Sequence, residues 1–293
     1  MTTQPPLADA AAGRRPPSPS IRLLISDVDG TLVTPDKTVT PAAKAAIETL
    51  RAAGARFTVV SSRPPRGLLS LVKALGVVEP FAGFNGGAVA EPDGTLRQTL
   101  SLSDEAVRRA LGILQRPGLL LWAYSGGDWL VTDPAGPRVD HERHTLGYEP
   151  VVLPDFSGLK DIQKMVGVSL DPAALDQAEH EARAALSGLA TVDRSQTYYL
   201  DITHPDANKG HAVLALSAAI GVAIEETAVF GDMANDVSMF DVAGLAVAMG
   251  QAAPAVQGRA DFVTSANTDE GFAHAVERFI LPRTAANTEP RAG

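Results

Sequence analysis

The sequence predicts an α/β protein in which a parallel-sheet core is interrupted by an inserted α+β segment. Three observations carry this. Apolar runs of strand length alternate with segments of helical apolar spacing over residues 21–85, hairpin signals replace that alternation over residues 88–200, and the alternation resumes from Asn208. A chain of 293 residues, 45% hydrophobic and 20% charged, has the length for about two domains and the composition to build their cores.

The first strand is the apolar run 21–27, which ends in acidic and glycine residues. Thr40 then stands as an N-cap with Pro41 at the first helical position. Ala43, Ala46, Ile47 and Leu50 follow at helical spacing, and Gly54 closes the segment. Residues 57–61 read as a second strand, 67–75 as a helix stopped by Gly76, and 80–85 as a third strand. This β-α-β-α-β order implies parallel strands joined by right-handed crossovers. In the insert, Pro92-Asp93-Gly94 marks one hairpin, and Ser125-Gly126-Gly127-Asp128 joins strands 119–124 and 129–132 in another. Helices over 103–115 and 172–186, with strands near 165–169 and 197–202, complete it. The return consists of a helix over 210–220, a strand 227–230, a helix after Asn235, strands 245–249 and near Phe262, and a helix 270–279. The expected organisation is therefore a discontinuous core of residues 21–87 and 201–283 around an insert of residues 88–200. The ends, residues 1–20 and 284–293, are poor in large apolar groups and are expected to be disordered. A segment that leaves a parallel sheet and returns to it is expected beside the carboxyl ends of the strands, where open α/β sheets bind ligands.

Composition narrows the function. With 25 Lys and Arg against 34 Asp and Glu, the net charge of -9 disfavours nucleic acid and anionic membrane as partners. The absence of cysteine removes thiolate zinc sites and a catalytic thiol, so any nucleophile is oxygen or nitrogen. Pro16, Pro17 and Pro19 occupy the place of a secretory apolar region after Arg14 and Arg15, and no apolar run reaches membrane-spanning length. A cytoplasmic protein, monomer or homodimer, is expected.

The sharpest chemical signal is Asp27-Val-Asp29-Gly30-Thr31-Leu32, directly after the first strand. Carboxylates at i and i+2 of an extended segment point the same way, and Gly30 permits a tight exit turn. Alone, such a pair is a common solvated turn. A second acidic loop, Gly231-Asp232-Met233-Ala234-Asn235-Asp236, also follows an apolar strand. Carboxylates at the ends of two parallel strands converge on one sheet edge, where oxygen-only ligation suits Mg²⁺ and where mutual repulsion calls for a cation. Val59-Val60-Ser61-Ser62-Arg63 ends the second strand with hydroxyls and amides, and Lys209 opens a helix where its ammonium can neutralise phosphoryl oxygens.

In this order, Asp-x-Asp-Gly-Thr, a strand-end Ser, Lys, and Gly-Asp-x-x-Asn-Asp resemble the four-motif pattern of the haloacid dehalogenase-like superfamily. The insert between Ser61 and Lys209, with Asn85-Gly86-Gly87, Asn208-Lys209-Gly210 and Asp269-Glu270-Gly271, resembles its Cof-type (class IIB) phosphatases. The resemblance implies a Rossmann-like core with an α+β cap and a Mg²⁺-dependent phosphatase acting on small phosphorylated metabolites, sugar phosphates foremost. It implies Asp27 as the nucleophile that forms an aspartyl-phosphate, and Asp29 as the acid and base. Mg²⁺ would be held by the Asp27 carboxylate, the Asp29 backbone carbonyl and Asp232, with Asp236 assisting through water or by orienting Lys209. Ser61, Lys209, Asn235 and the amides near Gly30, Thr31 and Ser62 would meet the phosphoryl oxygens. Where Cof-type chains usually carry Thr-Gly-Arg, this one has Ser61-Ser62-Arg63, and Arg63 either binds substrate or packs.

His141 and His144 form His-x-x-His without an evident third ligand, and read as a surface pair of the insert. Trp122, Tyr124 and Trp129 read as packing of its sheet. The rival readings are a phosphomutase, which returns the phosphoryl group to substrate, a receiver-like signalling module, and a catalytically inactive binding protein.

Overall fold

The computed structural model describes residues 16–284. They divide into two compact units, residues 16–60, 74–80 and 209–284 in the first, and residues 61–73 and 81–208 in the second.

In chain order the first stretch holds β1 (Leu23–Ser26), α1 (Pro41–Ala52), β2 (Arg56–Val59) and α2 (Pro65–Ala74). The excursion holds β3 (Phe81–Gly83), β4 (Ala88–Ala90), β5 (Leu96–Thr99), α3 (Asp104–Leu114), β6 (Leu120–Ser125), β7 (Asp128–Val131), α4 (Val139–Leu146), β8 (Val151–Val152), β9 (Ile162–Val168), α5 (Pro172–Ala185), β10 (Thr191–Gln196) and β11 (Tyr199–Thr203). The return holds α6 (Lys209–Ile220), β12 (Thr227–Gly231), α7 (Val237–Val242), β13 (Leu245–Ala248), α8 (Pro254–Gln257), β14 (Phe262–Val263) and α9 (Gly271–Ala275).

The first unit is a parallel sheet of order β14-β13-β12-β1-β2. Its middle strands are buried on both faces, which is why they read as unbroken apolar runs. The register pairs Ser26 with Phe230, so β1 and β12 end within one residue of each other and the acidic residues that follow emerge side by side. Helix α1 forms as its sequence indicates: the Thr40 hydroxyl accepts from the Ala43 N–H at 3.1 Å, and Ala43, Ala46, Ile47 and Leu50 face the core.

The second unit carries a sheet of order β10-β11-β9-β6-β7-β8. Helices α3 and α5 cover one face over a core that includes Leu114, Met165, Leu175 and Leu200. The other face is aromatic: Trp122, Tyr124, Trp129 and Tyr199 pack with Val166 and with Val139 and Leu146 of α4. The β6–β7 hairpin turns through Gly126 and Gly127 at φ 58° and 93°, the doubly left-handed turn that strand twist favours.

Among the elements that differ from expectation, three have a visible physical reason. Residues 81–83 do not extend the parallel sheet; β3 pairs antiparallel with β4 in a separate sheet β3-β4-β5. Positive φ at Phe84, Asn85 and Gly86 (52°, 55° and 97°) reverses the chain there, and a short fully buried strand looks the same from sequence in either sheet type. Helix α4 escapes apolar periodicity because one of its three buried positions is Glu142. Strand β10 escapes because only Val192 and Ser195 of its six residues are buried. Of the ends expected to be disordered, residues 1–15 and 285–293 lie outside the described residues. Within the described part, the Ser18 N–H donates to the Gly244 carbonyl at 2.9 Å and Thr284 is buried. No helix among the described residues is long and apolar enough to cross a membrane.

Candidate active site

The first unit gathers an acidic site at the exits of β1 and β12. Asp27 leaves β1 with its N–H donating to the Phe230 carbonyl at 2.9 Å. The chain then folds back tightly, the Val28 carbonyl accepting from Leu32 and Val33 at 3.0 and 3.1 Å. Gly30 makes this turn at φ +87°, and a Cβ there would fall 2.3 Å from Asp232 Oδ2, so a side chain is excluded by both conformation and space. The Thr31 hydroxyl donates to Asp232 Oδ1 at 3.3 Å.

After β12, a Cβ on Gly231 would meet that of Asp236 at 2.5 Å, which lets the loop close on itself. Asp236 is wholly buried and fully used: Oδ2 accepts from the N–H groups of Asp232 and Met233 at 2.8 and 2.9 Å, and Oδ1 accepts from Lys209 Nζ at 2.5 Å. Lys209, the first residue of α6, also donates to Asp27 Oδ1 at 2.6 Å. Carboxylate oxygens of Asp27, Asp232 and Asp236 lie within 4.8 Å of one another. Asn235 lies in the 3-10 turn Ala234–Asp236 between them, its carbonyl accepting from Ser238 Oγ at 3.1 Å.

Three carboxylates share one ammonium here, a shortfall of two positive charges. The acid constants register it. Burial, with the charges of Asp236 and Asp232, drives the Asp27 carboxyl well above the usual range against the pull of Lys209. Asp232 is pushed up to about 7, by burial first and then by Asp236. Lys209 moves up because Asp236 and Asp27 together outweigh its own burial. A buried, oxygen-only donor set lacking two charges fits a hard divalent cation such as Mg²⁺.

Asp29 stands outside this cluster. Its Oδ1 accepts from Lys37 Nζ at 2.6 Å, and Lys37 has a left-handed backbone at φ 63°. Sequence reasoning passed over Lys37 and also Gln251. The Gln251 amide donates to the Gly30 carbonyl at 2.5 Å and reaches Asp232 Oδ2 at 3.4 Å, while its oxygen accepts from the Asn267 N–H at 3.1 Å. Neither residue has a motif or spacing that marks it, since both reach the site only through the fold.

Ser61, Ser62 and Arg63 belong to the second unit. Ser61 is buried, its N–H donating to Ala82 at 3.0 Å and its carbonyl accepting from Asn85 at 2.9 Å. The Ser61 hydroxyl oxygen accepts from the Arg63 N–H at 3.1 Å, and the Ser62 carbonyl accepts from Lys164 Nζ at 3.1 Å. Gly83 lies so close that a Cβ there would stand 2.7 Å from the Arg63 carbonyl. The Arg63 guanidinium donates to the Thr145 carbonyl at 3.3 Å, a packing contact with α4. Trp122, Tyr124 and Trp129 pack the sheet of this unit as expected. The His141 ring meets Tyr198 edge-on at 6.0 Å.

Comparison with known proteins extends these observations over almost the whole chain. Residues 24–276 match the family model of the haloacid dehalogenase-like hydrolases. The phosphoglycolate phosphatase of Methanothermobacter thermautotrophicus is 28% identical, with 89% of this chain and 99% of that protein covered. The pyridoxal phosphate phosphatase of Escherichia coli is 27% identical over the same shares of the two chains. The crystal structure of a haloacid dehalogenase-like hydrolase from Bacteroides thetaiotaomicron superposes with a TM-score of 0.78 at 27% identity, covering 88% of this chain and 99% of that one. The chain belongs to the haloacid dehalogenase-like hydrolases, as a Cof-type phosphatase.

Proposed function

We propose that the chain hydrolyses small phosphate monoesters, sugar phosphates foremost, in a Mg²⁺-dependent reaction that passes through a phosphorylated Asp27. The observation that carries this reading is the buried Asp27 carboxylate, held by Lys209 on Oδ1 at 2.6 Å inside a three-carboxylate cluster short of two positive charges. Asp27, Asp232 and the Asp29 backbone carbonyl would hold the cation, which supplies positive charge that keeps the carboxylates ionised and offsets charge on the phosphoryl oxygens. Asp236, with both oxygens already committed, positions the Asp232 loop and Lys209.

Asp27 attacks phosphorus in line; the P–O bond to the leaving group breaks as its new bond to phosphorus forms. Asp29 gives a proton to the departing alkoxide, then takes one from the water that attacks the aspartyl-phosphate and frees Asp27 and phosphate. Lys37 keeps the Asp29 carboxylate in one place between these transfers. Lys209, Ser61, Asn235 and the amides at Gly30, Thr31 and Ser62 counter charge spreading over the phosphoryl oxygens. The segment 88–200 acts as a cap that selects the leaving group, with Arg63 packing beneath it. The two named relatives act on chemically unlike esters, which is what a shared phosphoryl chemistry with separate leaving-group selection produces.

The test is a phosphate-release screen over phosphate esters with Mg²⁺, in which free phosphate rather than an isomerised ester separates hydrolysis from a mutase reaction. Acid-quenched enzyme should carry one phosphoryl group on the peptide containing Asp27, and the Asp27→Asn variant none. Turnover with an unmodified Asp27 peptide throughout would overturn the covalent route.

A further inference from the structure

The second unit buries an ion pair that the reaction does not use. Lys164 on β9 and Asp201 on β11 have side chains only 6% and 1% exposed, with Nζ 2.6 Å from Asp201 Oδ2. Removing two charges from water commonly costs as much as their attraction returns, and an apolar pair of similar size often stabilises a fold better. Neither Asp201 oxygen has a hydrogen bond of good geometry, so this pair contributes little to stability.

Lys164 has a second partner, the Ser62 carbonyl at 3.1 Å. The Ser62 carbonyl and the Arg63 N–H belong to one planar peptide unit, so fixing one fixes the other. The Arg63 N–H in turn donates to the Ser61 hydroxyl oxygen at 3.1 Å. Neighbouring peptides of this loop are held by backbone bonds: Ser61 N–H to Ala82, Asn85 N–H to the Ser61 carbonyl, and Phe84 N–H to the Arg63 carbonyl, at 2.9 to 3.0 Å. None of those bonds touches the Ser62–Arg63 peptide. Lys164 holds it at one end and the Ser61 hydroxyl at the other. With the Ser61 oxygen accepting from Arg63, its own proton is left to donate to a phosphoryl oxygen.

We infer that Lys164 and Asp201 are positioning residues for the Ser61 hydroxyl, acting through the Ser62–Arg63 peptide. Asp201 holds the Lys164 ammonium, Lys164 holds the Ser62 carbonyl, and the peptide aims Ser61. The inference rests on the proposal that Ser61 binds the transferring phosphoryl group.

The experiment uses the full chain carrying Lys164→Met together with Asp201→Leu, which removes the link without stranding a buried charge. Hydrolysis of p-nitrophenyl phosphate, inhibition by inorganic phosphate, the Mg²⁺ concentration for half-maximal rate and the melting temperature are measured. The expected result is an unchanged or higher melting temperature, an unchanged Mg²⁺ requirement, and a rise of about tenfold in both KM and the phosphate inhibition constant, as for a binding group displaced by a fraction of an ångström. In a Ser61→Ala background the same pair of substitutions should change the phosphate constant by less than about twofold, because residues acting through one another are not additive. A folded double variant with wild-type phosphate affinity, or an equal loss on the Ser61→Ala background, overturns the inference. Should that variant not fold, Asp201→Asn decides: a rise of about threefold in the phosphate constant that vanishes with Ser61→Ala supports it, and an unchanged constant overturns it. A wild-type chain that neither hydrolyses the ester nor binds phosphate would instead overturn the functional reading as well.

Discussion

Lys209 and Lys164 are both buried, one in each unit, and their surroundings differ in how the charges close. Lys209 faces Asp27 and Asp236 with Asp232 nearby, three carboxylates to one ammonium. Lys164 faces one carboxylate and one carbonyl, and its charges balance. An unbalanced buried cluster needs a further cation or a bound proton, so its state changes with metal and pH and it is suited to chemistry. A balanced pair is self-contained, and what it offers is a fixed position. The lesson is that burial of a charge does not by itself mark a catalytic group; the arithmetic of its neighbours does.

The comparison is broken most directly at the nucleophile. Asp27→Asn keeps the shape of the cluster and removes the attacking oxygen, so turnover should fall by at least about a thousandfold in phosphate release. Retention of a tenth of the wild-type rate would mean that the unbalanced cluster is not the reactive centre. Next in size is the cation itself: chelation should abolish turnover and Mg²⁺ restore it, while Ca²⁺, which prefers more and longer ligands, should restore little.

The two lysine sites should also differ in stability. Lys164→Met alone leaves Asp201 buried and unpaired and should cost about 3 to 5 kcal/mol in denaturant unfolding, all of it regained when Asp201→Leu is added. If the single and double variants were equally unstable, the pair would not be the closed unit described here.

A pH series tests the charge shortfall of the Lys209 cluster. The folded-state Asp232 carboxyl is pushed up to about 7, above its unfolded value, so the folded protein holds that proton more tightly. The contribution is complete below about pH 4 and is lost as pH rises toward 7, by up to about 4 kcal/mol, with Asp27 acting in the same direction. Metal-free protein should therefore lose stability between about pH 4 and pH 7. Mg²⁺ should reverse that loss, and Asp232→Asn should flatten the slope. A metal-free stability that climbs over this range would contradict the charge shortfall.

The smallest effect belongs to the aromatic face of the second unit. Tyr124 and Tyr199 both donate to the buried Glu142, at 2.9 and 3.0 Å. Tyr124→Phe should cost about 1 to 3 kcal/mol of stability because it removes a hydrogen bond to a buried carboxylate, while p-nitrophenyl phosphate turnover stays within about threefold.

The motif residues were legible because each is a local event. Asp27 and Asp232 follow strands whose apolar runs are unmistakable, and Gly30 and Gly231 sit where a Cβ would strike a neighbouring carboxylate. The Thr40–Pro41 start of α1 was legible for the same reason, as its cap lies three residues from the donor it satisfies. Glu142 hid α4, because an inward carboxylate breaks the apolar pattern although two tyrosines satisfy it from strands far along the chain. Strand β3 was misplaced because partner choice is absent from a three-residue buried run.

Sequence alone determined the α/β class, the interruption of the core, and the order Asp27, Asp29, Ser61, Lys209, Asp232, Asp236, since apolar periodicity, turn residues and charge are properties of neighbours along the chain. Tertiary structure alone decided which carboxylate oxygens converge, that Asp236 spends both of its oxygens on Lys209 and two backbone amides, that Asp29 answers to Lys37, and that Lys164 pairs with Asp201. Those contacts join residues up to 209 positions apart, as Asp27 and Asp236 are, through sheet register and loop closure, and a long-range contact leaves no periodic trace in a single chain.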